Sequence, residues 1–282
     1  MKQFNRNRNE KSNRENPTDR QKREAKNWQK TKTNKMNKMK IFNIGNRIVN
    51  NYIIKTEKGY VVIDTGYTGN YARFSENLQK NKIAKEDIKF IFITHAHDDH
   101  IGFLNELRND TNAILVMHEE SSERLLVGHN KFVGGCSNLL AKIFVESMTL
   151  AGKGKHEFPI VKIDETDNIV LWNGQNQFFK QKGIGLEIVS LPGHTSDSIG
   201  LLTENGDLFC GDACMNGFPS IKRNIIWIEN VENYRKSWDT MIESSAEMIY
   251  PSHGLPFPKQ DLIKYRKSLN NIKLHKTKLS KG

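Results

Sequence analysis

Cysteine is scarce in this 282-residue sequence, which holds only Cys136, Cys210 and Cys214. Three cysteines cannot build the disulfide framework of a small secreted domain, and their scarcity is typical of a reducing compartment. Long apolar runs are also missing, since none approaches the roughly 20 residues of a membrane-spanning helix. The first residues lack the apolar segment of a secretory signal. We therefore expect a cytoplasmic protein without a membrane span.

Basic charge is plentiful, with a net charge of +11, but it is concentrated at the two ends. Residues 1–40 hold 14 Lys/Arg and 4 Asp/Glu, and residues 259–282 hold 8 Lys/Arg and one Asp. The body between them, 41–258, holds 21 basic and 27 acidic residues. The body therefore lacks the basic footprint that is typical of a nucleic-acid-binding fold.

The same change of composition predicts three segments. Residues 1–38 are rich in Asn, Lys, Arg and Gln and show almost no apolar periodicity, which predicts a disordered basic tail. Two alternatives stay open: an arm that touches RNA or an anionic surface, and an upstream extension from a mis-assigned start codon. Residues 39–258 are predicted to form the folded domain, and residues 259–282 a basic C-terminal helix or tail.

The densest chemistry lies in residues 92–102, FITHAHDDHIG, directly after the apolar run Ile88–Ile93. Five ionisable side chains beside a core cost desolvation energy unless something pairs them. A divalent cation does so, because neutral imidazoles and carboxylates are its natural ligands. His95 and His97 point the same way from an extended backbone, so both can bind one ion. Asp99 and His100 follow where the chain turns, and could serve a second ion.

Three further ligand-type residues end apolar runs in the second half of the sequence. His194 follows LEIVSLPG, Asp212 ends DLFCGD, and His253 lies in MIYPSHG. Each alone is compatible with an ordinary polar loop residue. Two runs of strands joined mostly by hairpins, each flanked by helices, predict two sheets packed face to face with helices outside. In such a sandwich, residues at strand ends meet at one edge, as a shared site requires.

This order of residues resembles the metallo-β-lactamase-fold hydrolases of the dinuclear His-x-His-x-Asp-His type, over roughly residues 39–258. The resemblance includes Asp64 in VVIDTG, which supports the metal-binding loop in that family. The motifs THAHDDHIG and PGHTSDS are nearest to glyoxalase II-like and lactonase-like members. The resemblance implies an α+β fold, a four-layer αββα sandwich.

The resemblance also implies a ligand set and a reaction. One metal ion would be bound by His95, His97 and His194, the other by Asp99, His100 and His253, with Asp212 bridging them. The implied enzyme is a metal-dependent hydrolase whose metal-bridged hydroxide cleaves a small ester, thioester, lactone or phosphoester. Asp99 is the expected catalytic proton carrier. Two Zn²⁺ ions are the expected cofactors, and iron or manganese also suits these ligands.

Two differences from patterns within the family narrow the range of expected substrates. Hydrolysis of β-lactam antibiotics is not expected, because the enzymes that perform it generally lack the bridging aspartate that Asp212 provides. Lactonases carry a tyrosine three residues after that aspartate, where this chain has Met215. A small-molecule substrate is the expected partner, and the sequence leaves the oligomeric state open. The basic termini support one alternative, an RNA- or nucleic-acid-associated metallo-hydrolase.

A helical insert is predicted near residues 121–160, because the 96 residues between His97 and His194 are many for the family. Within it, SNLLAKIFVESMTLAG carries apolar residues at helical spacing. Such a stripe usually packs onto the body; the alternative is a lid or dimer contact beside the metal cleft. Cys210 and Cys214, on either side of Asp212, are expected to be small buried residues rather than metal ligands.

Overall fold

The computed structural model describes residues 39–163, 168–174 and 177–281, which belong to one unit, Met39–Gly282. The predicted tail, 1–38, lies outside the described residues. The strands are β1 (Lys40–Asn43), β2 (Tyr52–Thr56), β3 (Gly59–Ile63), β4 (Ile88–Phe92), β5 (Ile114–His118), β6 (Gly135–Cys136), β7 (Ile169–Trp172), β8 (Leu186–Ser190), β9 (Ile199–Thr203), β10 (Asp207–Gly211), β11 (Trp227–Ile228), β12 (Met248–Pro251) and β13 (Phe257–Pro258). The helices are α1 (Tyr71–Lys80), α2 (Asp98–Ile101), α3 (Leu104–Asp110), α4 (Ser121–Leu125), α5 (Leu139–Leu150), α6 (Phe178–Gln181), α7 (Val231–Glu243) and α8 (Gln260–Tyr265).

Two large sheets organise these elements. The first has the order β1-β2-β3-β4-β5-β7, and the second has the order β13-β12-β10-β9-β8. From β3 to β7 the first sheet is parallel, so the expectation of strands joined mostly by hairpins is wrong there. Parallel neighbours need crossover connections, and α1 and α3 lie in the connections that follow β3 and β4.

Alternation of side chains along the strands divides the apolar core into layers. In β2, Ile54 belongs to the group that joins the two sheets, with Leu201 and Phe209 from the second sheet. Its neighbour Ile53 points to the opposite face, because successive side chains in a strand alternate, and packs with residues of α1 and α3. A third group places Trp238 of α7 outside the second sheet. The predicted four-layer αββα sandwich is confirmed.

The described C-terminal residues pack onto the second half of the domain. Leu262 and Leu269 are fully buried in the same apolar group as α7. His275 exchanges two backbone hydrogen bonds with Cys136, at 3.0 and 2.9 Å. This part of the predicted basic tail therefore contributes to the core. None of the described helices is long and apolar enough to cross a membrane.

The insert contains α4, β6 and the predicted helix, α5. Ala141 is the buried residue of α5. The apolar side chains of Leu139, Leu140, Ile143 and Leu150 are 39 to 85% exposed. The helix therefore packs along a narrow side only, and the expectation that its apolar stripe is core holds for just part of the stripe.

Candidate metal centre

The seven predicted ligands follow strand ends at one edge of the sandwich and meet there. His95 and His97 follow β4, and Asp99 and His100 lie in α2; the others come after β8, β10 and β12. Ligand atoms lie within 4.8 Å of one another in each of three groups: His95, His97 and His194; His95, His100 and Asp212; Asp99, His100 and His253. The structure thus brings all seven side chains together, although they span 159 sequence positions, from 95 to 253.

The first group, which we call the histidine triad, consists of His95, His97 and His194. The Nε2 atom of His194 lies 3.1 Å from the Nδ1 atom of His97. The other ring nitrogen of His194 donates to the carbonyl oxygen of Trp227 at 2.8 Å, which fixes the ring. The Nδ1 atom of His95 lies 3.1 Å from the hydroxyl of Thr94. The contacts at Nδ1 therefore direct the Nε2 atoms of His95 and His194 toward a shared centre.

The second group, the mixed triad, consists of Asp99, His100 and His253. The two carboxylate oxygens of Asp99 lie 3.5 Å from His100 Nε2 and 3.2 Å from His253 Nε2. His253 donates through Nδ1 to the carbonyl oxygen of Ile48 at 2.8 Å. The side chains of Asp99 and His253 are each 13% exposed, whereas that of His100 is fully buried.

Asp212 lies between the two triads. Its Oδ2 atom is 3.5 Å from Nε2 of His194 and 3.5 Å from Nε2 of His253. Its Oδ1 atom is 3.8 Å from Nε2 of His100. One carboxylate therefore reaches both groups, as a shared ligand must.

Several polar atoms of this cluster lack protein partners. Among the described residues, no hydrogen-bond partner reaches His95 Nε2, His97 Nε2, His100 Nε2 or Asp212 Oδ1, although all four atoms are buried. Buried polar atoms without partners are rare, because each one costs about 1–3 kcal/mol. Imidazole nitrogens and carboxylate oxygens are the usual donors to divalent cations. The donor set fits divalent metal ions.

The two triads differ in charge. Burial, reinforced by the neighbouring imidazoles, lowers the pKa values of His95 and His97 well below their usual range, so these rings are neutral. Burial acts in the same direction on His253, but Asp212 and Asp99 outweigh it and raise the pKa of this ring. Charge is therefore concentrated at the mixed triad.

Asp64 occupies the supporting position that the resemblance implied. Its carboxylate accepts hydrogen bonds from the Thr94 backbone N–H, the Thr94 hydroxyl and His100 Nδ1, each at 2.8 Å. The backbone φ of Asp64 is +56°, a conformation that only short polar residues and glycine adopt readily. Asp64 thus turns the Nε2 atom of His100 toward the cluster.

Asp197 is a supporting residue that the sequence did not reveal. One carboxylate oxygen accepts from the Ala96 backbone N–H at 2.9 Å and from the Ser121 hydroxyl at 2.7 Å. The other lies 3.2 Å from Nε of Arg124. Asp197 therefore fixes the backbone between His95 and His97. Its place in PGHTSDS, three residues after His194, was the available signal.

Tyr67 is a second residue near the centre that no sequence motif indicated. The carbonyl of the preceding Gly66 accepts from the Gly102 backbone N–H at 2.7 Å, so this loop lies against the end of α2. Burial raises the pKa of Tyr67, and the nearby carboxylates of Asp99, Asp98 and Asp212 add to the effect. The phenol is thus half-buried among the acidic groups of the centre.

The two cysteines beside Asp212 are buried and free, as predicted. Their Sγ atoms lie 3.2 Å from each other. The three ligand groups of the cluster consist of His and Asp alone.

The sequence model of the metallo-beta-lactamase superfamily matches residues 44–253. This chain belongs to the metallo-β-lactamase superfamily. Members of the superfamily are metal-dependent hydrolases, so the chain is placed among enzymes.

Among curated relatives, the chain is 25% identical over 216 residues to a probable metallo-hydrolase of Methanocaldococcus jannaschii, covering 73% of this chain and 87% of the relative. It is 24% identical over 209 residues to a β-lactamase-like protein 2 homolog of Drosophila melanogaster, covering 73% of this chain. The match spans only 58% of that relative's length.

Solved structures show the same fold. An archaeal superfamily protein from Sulfolobus tokodaii aligns with a TM-score of 0.59 at 20% identity, over 86% of this chain and 92% of its own. A metallo-β-lactamase from Cronobacter sakazakii aligns with a TM-score of 0.58 at 18% identity, over 82% and 88%. At these identities the likeness establishes the fold.

Proposed function

We propose that this chain is a dinuclear metal-dependent hydrolase that cleaves a small ester, thioester, lactone or phosphoester. The observation that carries the proposal is the position of Asp212, whose carboxylate lies within 4 Å of ligand atoms from both triads. The proposed ligands of one ion are the histidine triad, those of the other are the mixed triad, and Asp212 serves both. Zn²⁺ suits this set best, and iron or manganese is compatible with it.

When bound, such a pair of cations supplies an acidified water as nucleophile and positive charge against a developing oxyanion. The protein's own part is orientation and proton movement. Asp99, exposed on the side that solvent reaches, is proposed to hold a proton at its carboxylate and pass it to the leaving group. The hydrogen bond from His253 to Ile48 keeps the Nε2 atom of that ring directed at the centre.

We assign the phenol of Tyr67 to the oxyanion side of the reaction. Lactonases of the family place a tyrosine three residues after the bridging aspartate, where this chain has the buried Met215. Burial raises the pKa of the Tyr67 phenol, and the nearby carboxylates of Asp99, Asp98 and Asp212 raise it further, so this side chain belongs to the same cluster. Burial keeps the hydroxyl protonated, so it is available as a donor.

An activity screen with metal analysis tests the proposal. Chain loaded with Zn²⁺, Fe²⁺ or Mn²⁺ is assayed on ester, thioester, lactone and phosphodiester panels, and metal content is measured by plasma mass spectrometry. We expect two ions per chain and turnover in at least one panel that a chelator abolishes. One ion per chain at saturation, or turnover that survives complete chelation, would overturn the proposal.

The alternative of a nucleic-acid-associated hydrolase depends on the basic termini. Near the described C-terminal end, Arg266 is paired with Asp239 at 2.6 Å and Arg223 with Asp261 at 2.7 Å. These guanidinium groups already have carboxylate partners. Retention of RNA by the full chain at increasing salt tests the alternative, because phosphate binding by lysine and arginine falls steeply with salt.

A further inference from the structure

The most exposed side chains of the candidate metal centre are those of Asp99 and His253. The side chains of Asp99 and His253 are each 13% exposed, whereas those of His100, His194 and Asp212 are 0 to 6% exposed. A substrate must therefore approach past His253 and Asp99.

Three loops are fastened together around His253. The 45–50 loop accepts the His253 ring hydrogen bond at the Ile48 carbonyl. The 215–219 loop donates from the Asn216 backbone N–H to the His253 carbonyl at 2.9 Å. The Asn216 side chain donates in turn to the Leu255 carbonyl at 2.7 Å. The hydrogen bonds that position His253 therefore also hold the loops beside it.

Each of these loops, 45–50, 215–219 and the 253–255 segment, exposes one large apolar side chain. Ile48, Phe218 and Leu255 are 64, 74 and 75% exposed, and we call them the apolar rim. The Phe218 ring meets the edge of the Phe144 ring of α5 with centroids 5.8 Å apart. Leu140, one helical turn before Phe144, is 39% exposed. The rim therefore continues onto the insert helix.

Exposed apolar clusters beside a site usually mark binding surfaces, because leaving them in water is unfavourable. We propose that the substrate carries an extended apolar chain, of the acyl or alkyl kind, that lies on the apolar rim and on the turn of α5 between Leu140 and Phe144. This inference rests on the proposed hydrolase function and specifies its substrate class. A second protein copy seated on the rim would cover the side from which solvent reaches the centre. An apolar chain that belongs to the substrate leaves with the product.

A homologous series of ligands tests the proposal by direct binding. The probes are straight-chain carboxylates from butanoate to dodecanoate, below their micelle concentrations, titrated calorimetrically into the metal-loaded full chain. All probes share the carboxylate, so differences in affinity between them measure the contribution of the apolar chain. We expect the dissociation constant to fall by up to about fourfold for each added methylene. A dissociation constant that does not change with chain length would overturn the proposal.

Substitutions test which side chains provide the gain in affinity per methylene. Phe218→Ser and Leu255→Ser should each reduce the gain in affinity per methylene, with thermal melting and metal content showing that the fold and centre survive. Leu150→Ser is the matched control, because Leu150 is an 85% exposed apolar residue at the far end of α5. It should keep the wild-type gain. An equal gain in wild type and both rim variants would contradict the proposal.

Turnover of acyl thioesters of the same chain lengths separates this inference from the proposed function. Chain-length-dependent binding without cleavage of any panel substrate would support the rim and remove the hydrolase proposal. Cleavage that is indifferent to chain length would keep the hydrolase and overturn the rim. Light scattering adds a further check: a wild-type dimer that both rim variants convert to monomer would assign the rim to a second copy instead.

Discussion

The histidine triad and the mixed triad lie side by side, yet the chain builds them differently. The histidine triad consists of three buried rings, of which His95 and His97 are neutral, and its backbone is fixed by Asp197. The mixed triad contains a carboxylate, is supported by Asp64, and presents two of its three side chains to solvent. The difference indicates a division of labour. Under the proposed function, one side would hold its ion firmly, and the other would meet the substrate and move protons.

The largest effect is expected where the two triads share a ligand. Asp212→Ala should leave fewer than two ions per chain and reduce kcat on the order of 10⁴-fold, because the acidified water depends on the metal pair. Folding should survive, since the sandwich core supplies most of the stability of a domain this large. Metal analysis and single-substrate kinetics measure both quantities.

Asp207→Ala is the matched control for this change. Asp207 is a buried aspartate at the first position of β10, whereas Asp212 directly follows the last position of that strand. The Asp207→Ala variant should retain two ions per chain, even if its thermal stability changes. If Asp212→Ala kept both ions and full turnover, the assignment of a shared carboxylate would be wrong.

Tyr67→Phe is expected to have the next largest effect. Loss of one donor to the oxyanion should lower kcat on the order of 100-fold, with KM and metal content little changed. Steady-state kinetics on the best substrate of the screen give the split between kcat and KM. A rise in KM alone, or loss of metal, would show that Tyr67 acts by packing or by supporting a ligand.

Two supporting aspartates should affect different triads. Asp64→Asn removes the charged acceptor of His100 Nδ1 while keeping a residue that tolerates positive φ, and should weaken metal binding at the mixed triad about 10- to 100-fold. Asp197→Asn should act mainly on the histidine triad, through the Ala96 backbone. Cobalt titrations followed by absorption distinguish the two sites by their ligand fields. Equal losses at both sites in both variants would remove the proposed division.

The smallest effect concerns the three buried thiols. Burial raises the pKa of Cys136 to about 12 and that of Cys214 well above its usual value. Since the thiolate is the reactive form, Cys136 and Cys214 should not react with a disulfide reagent at pH 8 in the folded protein, and burial should keep the reagent away from Cys210. Three should react after denaturation. A thiol released by chelation in the folded state would indicate a sulfur ligand in one of the triads.

Local motifs made most of the centre predictable. His95 to His100 lie in six consecutive positions, and His194, Asp212 and His253 each follow an apolar run. Their positions after strands were therefore enough to predict that they meet at one edge of the sandwich. Asp197 was not predictable in this way, because its role is a contact with the Ala96 backbone, 101 positions away. Helical periodicity indicated α5, but it does not reveal which apolar residues a neighbour covers. Pairing order in the first sheet likewise depends on contacts between distant segments.

Anomalous diffraction from crystals of the Zn²⁺-loaded protein tests the central claim most directly. Data collected on either side of the zinc absorption edge locate each ion without reference to activity or substrate. We expect two peaks, one among His95, His97 and His194 and one among Asp99, His100 and His253, with the Asp212 carboxylate between them. A single peak at full occupancy, or a second peak away from the mixed triad, would contradict it.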